Sequence, residues 1–500
     1  MTGAADPMQG DGNTVSTEFE AVIGMEVHVE LNTRSKVFCG CSTNFHAPPN
    51  TNVCPVCLGM PGVLPVLNRR AVERSVAAGI ALGCTISRWS KMDRKNYFYP
   101  DLAKNYQISQ YDLPLSHDGV LEVDVVSPGS QTPSASKRIR IRRAHLEEDT
   151  ARNTHALPGG CSGVDFNRSG VPLLEIVTEP DIQNADEAYS YLISLRQLLL
   201  YLGISDCNME EGSLRAEANI SLRRPGATEL GVKTEVKNVA SFTGAYRAIE
   251  YEIARQRQVL LDGGTVVQET RGWDADRGVT VAQRTKESAH DYRYFPEPDL
   301  VPIVVDAAWE TEIRSGLPEL PKARRERFAT ALGLSSYDAT VLTATRAIAD
   351  YFEAVVAAGA PAKPAANWIM GDLQAVLSER DLEPSDAALP AAHLAAMITL
   401  IETGKISGKI AKDLLPELVD TKRPPEALVE EKGLAQISDA GALRELVRKA
   451  VADNPGPAQD VRNGKTKAVG FLVGQVMKAS KGKANPKVIN ELLQEELTSE

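Results

Sequence analysis

The sequence lacks the features that mark membrane-spanning, secreted and strongly cationic proteins. No run of about 18 apolar residues occurs in its 500 residues, so we expect no membrane span. No basic stretch followed by an apolar one precedes residue 19, so we expect no signal peptide, a cytoplasmic location and a disordered leader at 1–18. The net charge of −11 excludes a strongly cationic nucleic-acid binder, although it leaves room for a local basic patch.

Several common catalytic motifs are missing as well. The phosphate-binding loop G-x-x-x-x-G-K-[ST] does not occur, because Gln459 stands where its first glycine would precede Gly464. No G-x-G-x-x-G follows a predicted strand, and neither G-x-S-x-G nor a Ser/Lys tract of the amidase type occurs. Any nucleotide would therefore need a non-standard binding site.

The chain divides into a strand-rich front part and a helical back part, and its length predicts two to four domains. Residues 22–31 and 213–223 alternate between apolar and polar side chains, which is typical of half-buried strands. Helices are predicted at 185–202 and at about 242–261. From about residue 310 the chain is rich in Ala and Leu, so we expect it to be helical.

Four of the seven cysteines lie close together in FCGCSTNFHAPPNTNVCPVC, residues 38–57. They are Cys39, Cys41, Cys54 and Cys57. Two close pairs across a short loop can form a tetrahedral thiolate site without an open position, which predicts structural zinc. His46 is a possible substitute ligand, and the alternatives are unliganded thiols or a redox pair at Cys54 and Cys57. Cytosolic thiols stay reduced, which argues against a disulfide framework. The other three cysteines are expected to be small buried residues, Cys84, Cys161 and Cys207.

Acidic residues recur on three predicted strands or strand ends of the front part. Glu26, His28 and Glu30 share one face of the first strand. Two further segments, 142–152 and 209–221, contribute His145, Glu147, Glu148, Asp149, Glu210, Glu211, Arg215 and Glu217. Converging carboxylates repel one another unless a cation neutralises them, and oxygen ligands with an imidazole suit Mg²⁺ or Mn²⁺. The pattern indicates magnesium-dependent phosphoryl transfer, whereas solvent-facing alternation is the alternative for any single strand.

Two segments mix aromatic and cationic side chains, KMDRKNYFYPDLAKNYQISQYD at 91–112 and KESAHDYRYFPEPD at 286–299. Cations and ring faces together suit phosphates and stacked bases, and a packed Tyr-rich hairpin is the alternative. Residues 461–487 hold seven basic and no acidic side chains. That stretch fits either a nucleic-acid backbone or a solvated charged face.

These motifs together resemble one known family. IGMEVHVEL, NTNVCPVCLGMPGVLPVLN, DRKNYFYPDLAKNYQISQ, HLEEDTAR, MEEGSLRAEANISLR and DYRYFPEPD resemble, in this order, the B subunits of bacterial aspartyl/glutamyl-tRNA amidotransferases. The resemblance extends from about residue 20 to the C-terminus. It implies an α+β fold with a strand-rich cradle domain at 19–306, an all-α helical domain at 307–388 and an all-α tail at 389–500 similar to the YqeY fold.

The resemblance also implies an activity and its partners. In this family the side-chain carboxylate of Glu on tRNA(Gln), or of Asp on tRNA(Asn), is phosphorylated with ATP and Mg²⁺. Ammonia, which an amidase A subunit makes from glutamine, then displaces phosphate to give Gln-tRNA or Asn-tRNA. A small C subunit joins A to B. The sequence leaves open which of the two tRNA substrates is physiological.

Site residues are implied in the same way. The metal ion is expected at Glu26 and His28, and the other candidate ligands are Glu147, Glu148, Glu210 and Glu217. The expected catalytic set is Glu26, His28, Glu147, Glu148, Glu210 and Arg215. Phosphates or the acceptor end would be held by Arg215 with Lys95, Tyr97, Tyr99 and Arg293. The tail would contact the tRNA backbone through Lys465, Lys467, Lys481 and Lys483.

Two rival hypotheses remain. The chain could be a tRNA-binding adaptor without catalysis of its own, in which the acidic cluster is structural. It could also be an amidotransferase with a cysteine nucleophile, Cys161, acting with His145 or His155.

Overall fold

The structure is a computed structural model that describes residues 19–130, 132–285, 292–436, 440–463, 466–480 and 484–498. Two compact units make up the chain, Met1–Leu320 and Pro321–Glu500. The predicted leader at 1–18 lies outside the described residues. In the part of the chain that the structure describes, no helix has the length and apolar composition needed to cross a bilayer.

The first unit is built on one nine-stranded sheet with the order β14-β13-β12-β11-β1-β10-β7-β6-β2. Neighbouring strands are antiparallel except β12 and β13, which are parallel. The strands are β1 Glu20–Glu30, β2 Thr85–Ile86, β3 Trp89–Ser90, β4 Asp93–Asn96, β5 Tyr106–Ser109, β6 Ser116–Val125, β7 Ala135–Glu148, β8 Arg152–Leu157, β9 Cys161–Asp165, β10 Pro172–Thr178, β11 Leu214–Arg223, β12 Thr234–Lys237, β13 Glu269–Asp274, β14 Val279–Thr285, β15 Phe295–Pro296 and β16 Ile303–Val304.

The helices of the first unit are α1 Arg69–Ala81, α2 Ala185–Leu202, α3 Phe242–Leu261 and α4 Ala307–Ser315. Those of the second unit are α5 Pro321–Ala331, α6 Ser336–Leu342, α7 Arg346–Ala357, α8 Ala362–Trp368, α9 Gln374–Ser378, α10 Ala391–Glu402, α11 Gly408–Thr421, α12 Pro425–Glu431, α13 Ala440–Asp453, α14 Pro455–Arg462, α15 Thr466–Ala479 and α16 Pro486–Thr498. The predicted α+β class is confirmed.

The ends of α2 show how local sequence defines an element. The side chain of Asn184 accepts a hydrogen bond from the N–H of Glu187 at 2.8 Å, which satisfies one of the free donors of the first turn. Glu187 in turn accepts from the N–H of Gln183 at 2.9 Å. Gly203 ends the helix in the left-handed region, at φ 63°. Both predicted helices of the front part, α2 and α3, are confirmed with the expected bounds.

The two faces of the sheet differ in chemistry because strand side chains alternate. One face carries Val27, Val29, Leu174 and other apolar side chains, which form the core with helices α1, α2 and α3. The opposite face, here called the polar face, carries Glu26, His28 and Glu30 from β1. The polar face therefore collects charged groups at the centre of the sheet.

Strand register aligns four polar residues in one row. His28 lies opposite Arg215 on one side and opposite Glu175 on the other, and Glu175 lies opposite His145. The row thus crosses β11, β1, β10 and β7. The register between β10 and β7 shifts by one residue between Val177 and Thr178, so that Arg142 of β7 has no partner on β10.

Helix α4 belongs to the first unit. Trp309 and Ile313 pack against its core, and Glu310 pairs with the Nη1 of Arg88 at 2.8 Å. The first compact unit consequently continues to Leu320, whereas the sequence places the end of the cradle at 306. The predicted division at 306 and 388 stays a prediction.

The second unit has two apolar clusters. One extends from Phe328 to Val429 and the other from Leu443 to Leu497. Three of the four predicted tRNA-binding lysines, Lys465, Lys481 and Lys483, lie outside the described residues, and so does the side chain of Lys467.

Candidate metal and active site

The centre of the polar face holds a cluster of carboxylates around His28. Its Nε2 lies 3.3 Å from Glu175 Oε2, 3.7 Å from Glu147 Oε1 and 3.8 Å from Glu26 Oε1. These side chains come from three adjacent strands, so the sheet itself fixes their spacing. His28 and Glu26 are partly accessible, with 14% and 28% of their side chains exposed, whereas Glu147 and Glu175 are buried.

A second imidazole completes the cluster from β7. His145 Nε2 lies 3.5 Å from Glu175 Oε2 and 3.8 Å from Glu147 Oε2. The hydroxyl of Ser109 donates to Glu147 Oε2 at 3.0 Å. The buried Nδ1 of His145 has no hydrogen-bond partner among the described residues. Glu175 and Glu147 are therefore shared by both imidazoles.

Burial and charge act against each other in this cluster. Burial alone would raise the pKa of Glu175, but the charges of His145 and His28 hold it well below its usual range. Burial and the negative charge of Glu175 raise the pKa of Glu26 to about 7. For His28, burial lowers the pKa, yet the hydrogen bond and charge of Glu175 outweigh it and raise the pKa to about 9. Carboxylates held this close together repel one another, and a bound cation would relieve that repulsion.

The spacing of these groups fits a divalent cation. The ligand atoms of Glu26, His28 and Glu175 all lie within 4.8 Å of one another, and so do those of His145, Glu147 and Glu175. Ligand atoms at ~2.1 Å from an octahedral ion are about 3 to 4.2 Å apart, a range that contains the imidazole-to-carboxylate separations of 3.3 to 3.8 Å. The carboxylate oxygens suit Mg²⁺ or Mn²⁺, whereas the two imidazoles are ligands that softer divalent metals also accept.

Glu175 is the member of the cluster that sequence reasoning missed. It occurs in VPLLEIVTEP, an otherwise apolar strand, and it is 5% exposed. Its position gives a usable signal, because a lone carboxylate inside a buried apolar run is rare unless it is paired or binds a metal. Its partners His28 and His145 are distant in sequence, so only the strand register identifies them.

Several predicted site residues do not belong to either group of ligand atoms. Glu148 follows Glu147 on β7 and points the other way, where it accepts from Lys104 Nζ at 2.7 Å and from the N–H of Ile108 at 2.8 Å. Glu217 lies opposite Glu26 and pairs with Lys237 Nζ at 2.7 Å. Glu210 is exposed in the turn before β11.

Lys95 and a group of tyrosines border the cluster. Burial would lower the pKa of Lys95, but the charge of Glu147 and other neighbours raises it, so the ammonium stays charged. Its Nζ lies 5.2 Å from the ring centre of Tyr292 and 5.9 Å from that of Tyr97. Tyr99 is 52% exposed. A cation beside accessible ring faces is a suitable surface for phosphates or a base.

Arg215 supplies a second cation next to His28. Its Nη2 donates to Asp149 Oδ1 at 2.9 Å, while Asp149 Oδ2 accepts from Arg168 Nε at 2.6 Å. The side chain of Arg215 is 39% exposed, and its buried Nε has no hydrogen-bond partner among the described residues. Burial alone would raise the pKa of Asp149, but Arg215 and Arg168 hold it well below its usual range. Arg215 is thus anchored at one nitrogen and retains donors for an anion.

The four clustered cysteines form a second metal-type site. Their sulfur atoms all lie within 4.8 Å of one another, and the sulfurs of Cys54 and Cys57 are 3.9 Å apart. Four thiolates at ~2.3 Å from zinc are about 3.8 Å apart in a tetrahedron. The pKa of the Cys57 thiol is lowered to about 4, chiefly by its hydrogen bond with Cys39, although burial acts in the opposite direction. His46 is exposed and not part of the group.

Comparisons with known proteins decide the family. A family model described as the GatB/GatE catalytic domain matches residues 21–311, and one described as the GatB domain matches residues 350–497. The B subunit of an aspartyl/glutamyl-tRNA(Asn/Gln) amidotransferase from Geobacter sulfurreducens is 54% identical over 482 residues, which are 96% of this chain and 99% of that protein. The chain belongs to this family. The corresponding protein from a Thermoanaerobacter species is 53% identical over 481 residues, 96% of this chain and all of that protein.

Membership places the chain among the components of amidotransferases, which are carbon–nitrogen ligases of translation. The expectation that Cys161 is buried in this amidotransferase component is wrong, because Cys161 is exposed on β9. Cys84 and Cys207 are buried. Among the described strands, β9 pairs only with β8 in a two-stranded ribbon, which leaves the thiol accessible. His145 lies among the carboxylates of the polar face, and the side chain of His155 lies outside the described residues.

Proposed function

We propose that the polar face phosphorylates the side-chain carboxylate of Glu on tRNA(Gln), of Asp on tRNA(Asn), or of both, using ATP and Mg²⁺. Ammonia then replaces the phosphate to give Gln-tRNA(Gln) or Asn-tRNA(Asn). The single observation that supports this most is the row of Glu175 between His28 and His145, flanked by Glu26 and Glu147. Family membership supports the amidation, since the relatives are named for it.

The chemistry explains why a phosphate-handling site is needed. Ammonia attacking a free carboxylate would have to expel oxide, which is a very poor leaving group. If a carboxylate oxygen attacks the γ-phosphorus, the bond to ADP breaks and the acyl group gains phosphate as a leaving group. Ammonia can then form the amide bond as phosphate leaves. A divalent cation at the polar face would neutralise charge between the phosphates.

Each part of the polar face has a role in this proposal. Glu26, His28, Glu147 and Glu175 would hold Mg²⁺. Lys95 and Arg215 would fix phosphate oxygens or the substrate carboxylate through charged hydrogen bonds. Tyr97, Tyr99 and Arg293 remain candidates for the nucleotide or the acceptor end of the tRNA, and Glu210 and Glu217 remain candidate ligands in a substrate-bound arrangement. Glu148 is not retained as a ligand, because it points away from the polar face and pairs with Lys104.

Partner proteins would supply the ammonia. Each relative is named as the B component of its amidotransferase, which supports an assembly with other chains. We infer an amidase A subunit that hydrolyses glutamine and a small C subunit that joins the two. The thiolate cluster would hold one structural zinc. The lysines of the tail would bind the tRNA backbone.

A double substitution, Glu26→Ala with His28→Ala, tests the proposal in the co-expressed complex. ATP-dependent phosphorylation of tRNA-bound Glu should be lost, because two metal ligands are removed, while tRNA binding persists. If phosphorylation survives, the chain is the non-catalytic adaptor instead. Assays with Glu-tRNA(Gln) and Asp-tRNA(Asn) separately, each with glutamine or free ammonia, identify the substrate and the source of nitrogen.

A further inference from the structure

We propose that Arg168 is a positioning residue that links the thiolate cluster to Arg215 on the polar face. The link passes through residues 164–168, here called the docking segment. The cysteine loop at 38–57 would then help to orient Arg215, in addition to stabilising its own conformation. This inference rests on the proposed function for two points, the role of Arg215 and the zinc in the thiolate cluster.

The long loop between Cys41 and Cys54 is bound to the docking segment by the side chains of Asn50, Asp165 and Asn167. The N–H of Asn50 donates to Asp165 Oδ1 at 2.9 Å, and Asn50 Oδ1 accepts from the N–H of Phe166 at 2.8 Å. The N–H of Asn52 donates to Asn167 Oδ1 at 2.7 Å. Because these bonds involve backbone groups on both sides, the loop and the segment fix each other's paths.

Lys36 makes a further connection between the cluster and the segment. Its side chain is fully buried, and Nζ donates to the carbonyl of Phe166 at 3.2 Å. Its positive charge also acts on Cys57. A zinc ion with four thiolates carries a net charge of about −2, and a buried ammonium is a suitable counter-charge for it. Lys36 therefore compensates the charge of the thiolate cluster and holds the docking segment by a hydrogen bond at the same time.

Arg168, the last residue of the segment, contacts three other parts of the first unit. Its Nε lies 2.6 Å from Asp149 Oδ2 and 2.7 Å from Glu30 Oε1, and its Nη2 donates to the carbonyl of Gly212. Gly212 has φ +80°, and a Cβ there would lie 3.2 Å from Arg168 Nη1. The guanidinium therefore joins the ends of β1 and β7 to the turn before β11.

The contact with Asp149 carries the link to Arg215. Asp149 is buried, and its two carboxylate oxygens are divided between Arg168 and Arg215. If Arg168 shifts, the carboxylate that anchors Arg215 shifts as well. A lysine at position 168 would keep the charge but could not reach several acceptors at once, because only the guanidinium has a planar fork of donors.

The experiment uses the co-expressed complex with Arg168→Lys and Asn167→Ala. Arg168→Lys keeps the buried charge and so avoids leaving Asp149 uncompensated. The matched control is Arg140→Lys, since Arg140 forms a two-bond pair with Asp181 on the same sheet, away from the docking segment. The first measurement is the rate at which zinc passes to a chromogenic chelator.

Both test variants should release zinc faster than the wild type, by about fivefold for each hydrogen bond lost, while Arg140→Lys should not. The second measurement is steady-state kinetics with ATP. Arg168→Lys should raise KM for ATP, because Arg215 is misoriented, whereas a merely structural defect would reduce the active fraction and lower kcat alone. In the double variant, Asn167→Ala with Arg168→Lys, the rate of zinc release should rise by less than the product of the two single increases.

Zinc release from Arg168→Lys at the wild-type rate would overturn the link, and so would protein that carries no zinc. Effects of Asn167→Ala and Arg168→Lys that multiply independently would also overturn it. If the wild-type complex shows no ATP-dependent phosphorylation, the proposed function fails, yet the zinc-release comparison still decides whether the docking segment connects the two sites.

Discussion

Replacing Glu175 by Gln should separate metal binding from folding at the polar face. The substitution keeps the size of the side chain and removes its charge. Glu175 has His28 Nε2 at 3.3 Å, His145 Nε2 at 3.5 Å and the Nη2 of Arg143 at 3.8 Å. No other carboxylate of the described cluster belongs to both groups of metal-type ligand atoms. Its loss should therefore weaken any cation held between β1 and β7.

The size of the effect can be bounded. Removing a residue that merely supports a metal ligand costs about 10- to 100-fold in metal affinity. A carboxylate that contacts the ion should cost at least as much, which is about 1.4 to 2.7 kcal/mol of binding free energy. We expect the Mg²⁺ concentration for half-maximal phosphorylation to rise at least about tenfold in Glu175→Gln.

Two assays measure this. The first is ATP-dependent phosphorylation of tRNA-bound Glu as a function of Mg²⁺ concentration. The second is the rise in unfolding temperature that Mg²⁺ produces, because an ion at 100 times its Kd stabilises the folded state by about 2.7 kcal/mol. That increment reports binding whatever the stability of the metal-free variant.

Glu122→Gln is the matched control, since Glu122 lies in the same sheet on β6, two strands from β10, and pairs with Arg138 Nε at 3.7 Å. It should leave both Mg²⁺ responses unchanged. If Glu175→Gln also gives the wild-type midpoint and the wild-type increment, Glu175 does not bind the cation and our reasoning from strand register is refuted.

Three further predictions address other parts of the chain. Asn184→Ala should lower the free energy of unfolding by about 1 kcal/mol, because the first turn of α2 loses its cap; chemical denaturation checks this, and no change would mean the cap is redundant. Metal analysis should find about one zinc per chain, retained in EDTA while Mg²⁺-dependent activity is lost; zinc-free, fully active protein would contradict the thiolate site. Neutralising four tail lysines together should weaken tRNA binding and flatten its salt dependence, and unchanged affinity would exclude the tail; they are Lys465, Lys467, Lys481 and Lys483.

Local sequence predicted some elements of the cradle, namely β1, β11, α2 and α3. The alternation of β1 placed Glu26, His28 and Glu30 on one face, which the structure confirms. The cap of α2 and the glycine after it predicted that helix to the residue. These signals are short-range, because periodicity and capping depend on residues within a few positions of one another.

The rest depends on register between distant strands. Glu175 joins His28 and His145 only because β10 pairs with both β1 and β7. A shift of one residue would have turned Glu175 to the apolar face, and sequence alone does not exclude that shift. Including both Glu147 and Glu148 in the expected catalytic set overlooked the same alternation, since adjacent strand residues point to opposite faces.

The order of strands in the large sheet has a consequence for synthesis of the chain. Strand β1 emerges first from the ribosome, but its two neighbours are β10 and β11, which ends at Arg223. At about 5 to 20 residues per second, roughly 10 to 40 seconds separate β1 from its second partner. Both edges of β1 lack their final hydrogen bonds until β10 has been synthesised, and the edge that pairs with β11 lacks them throughout the interval. Long-range pairing of this kind folds slowly. We therefore expect nascent chains shorter than about 225 residues to need protection from aggregation, and β1, the first strand of the polar face, to become fixed only after β11 has been synthesised.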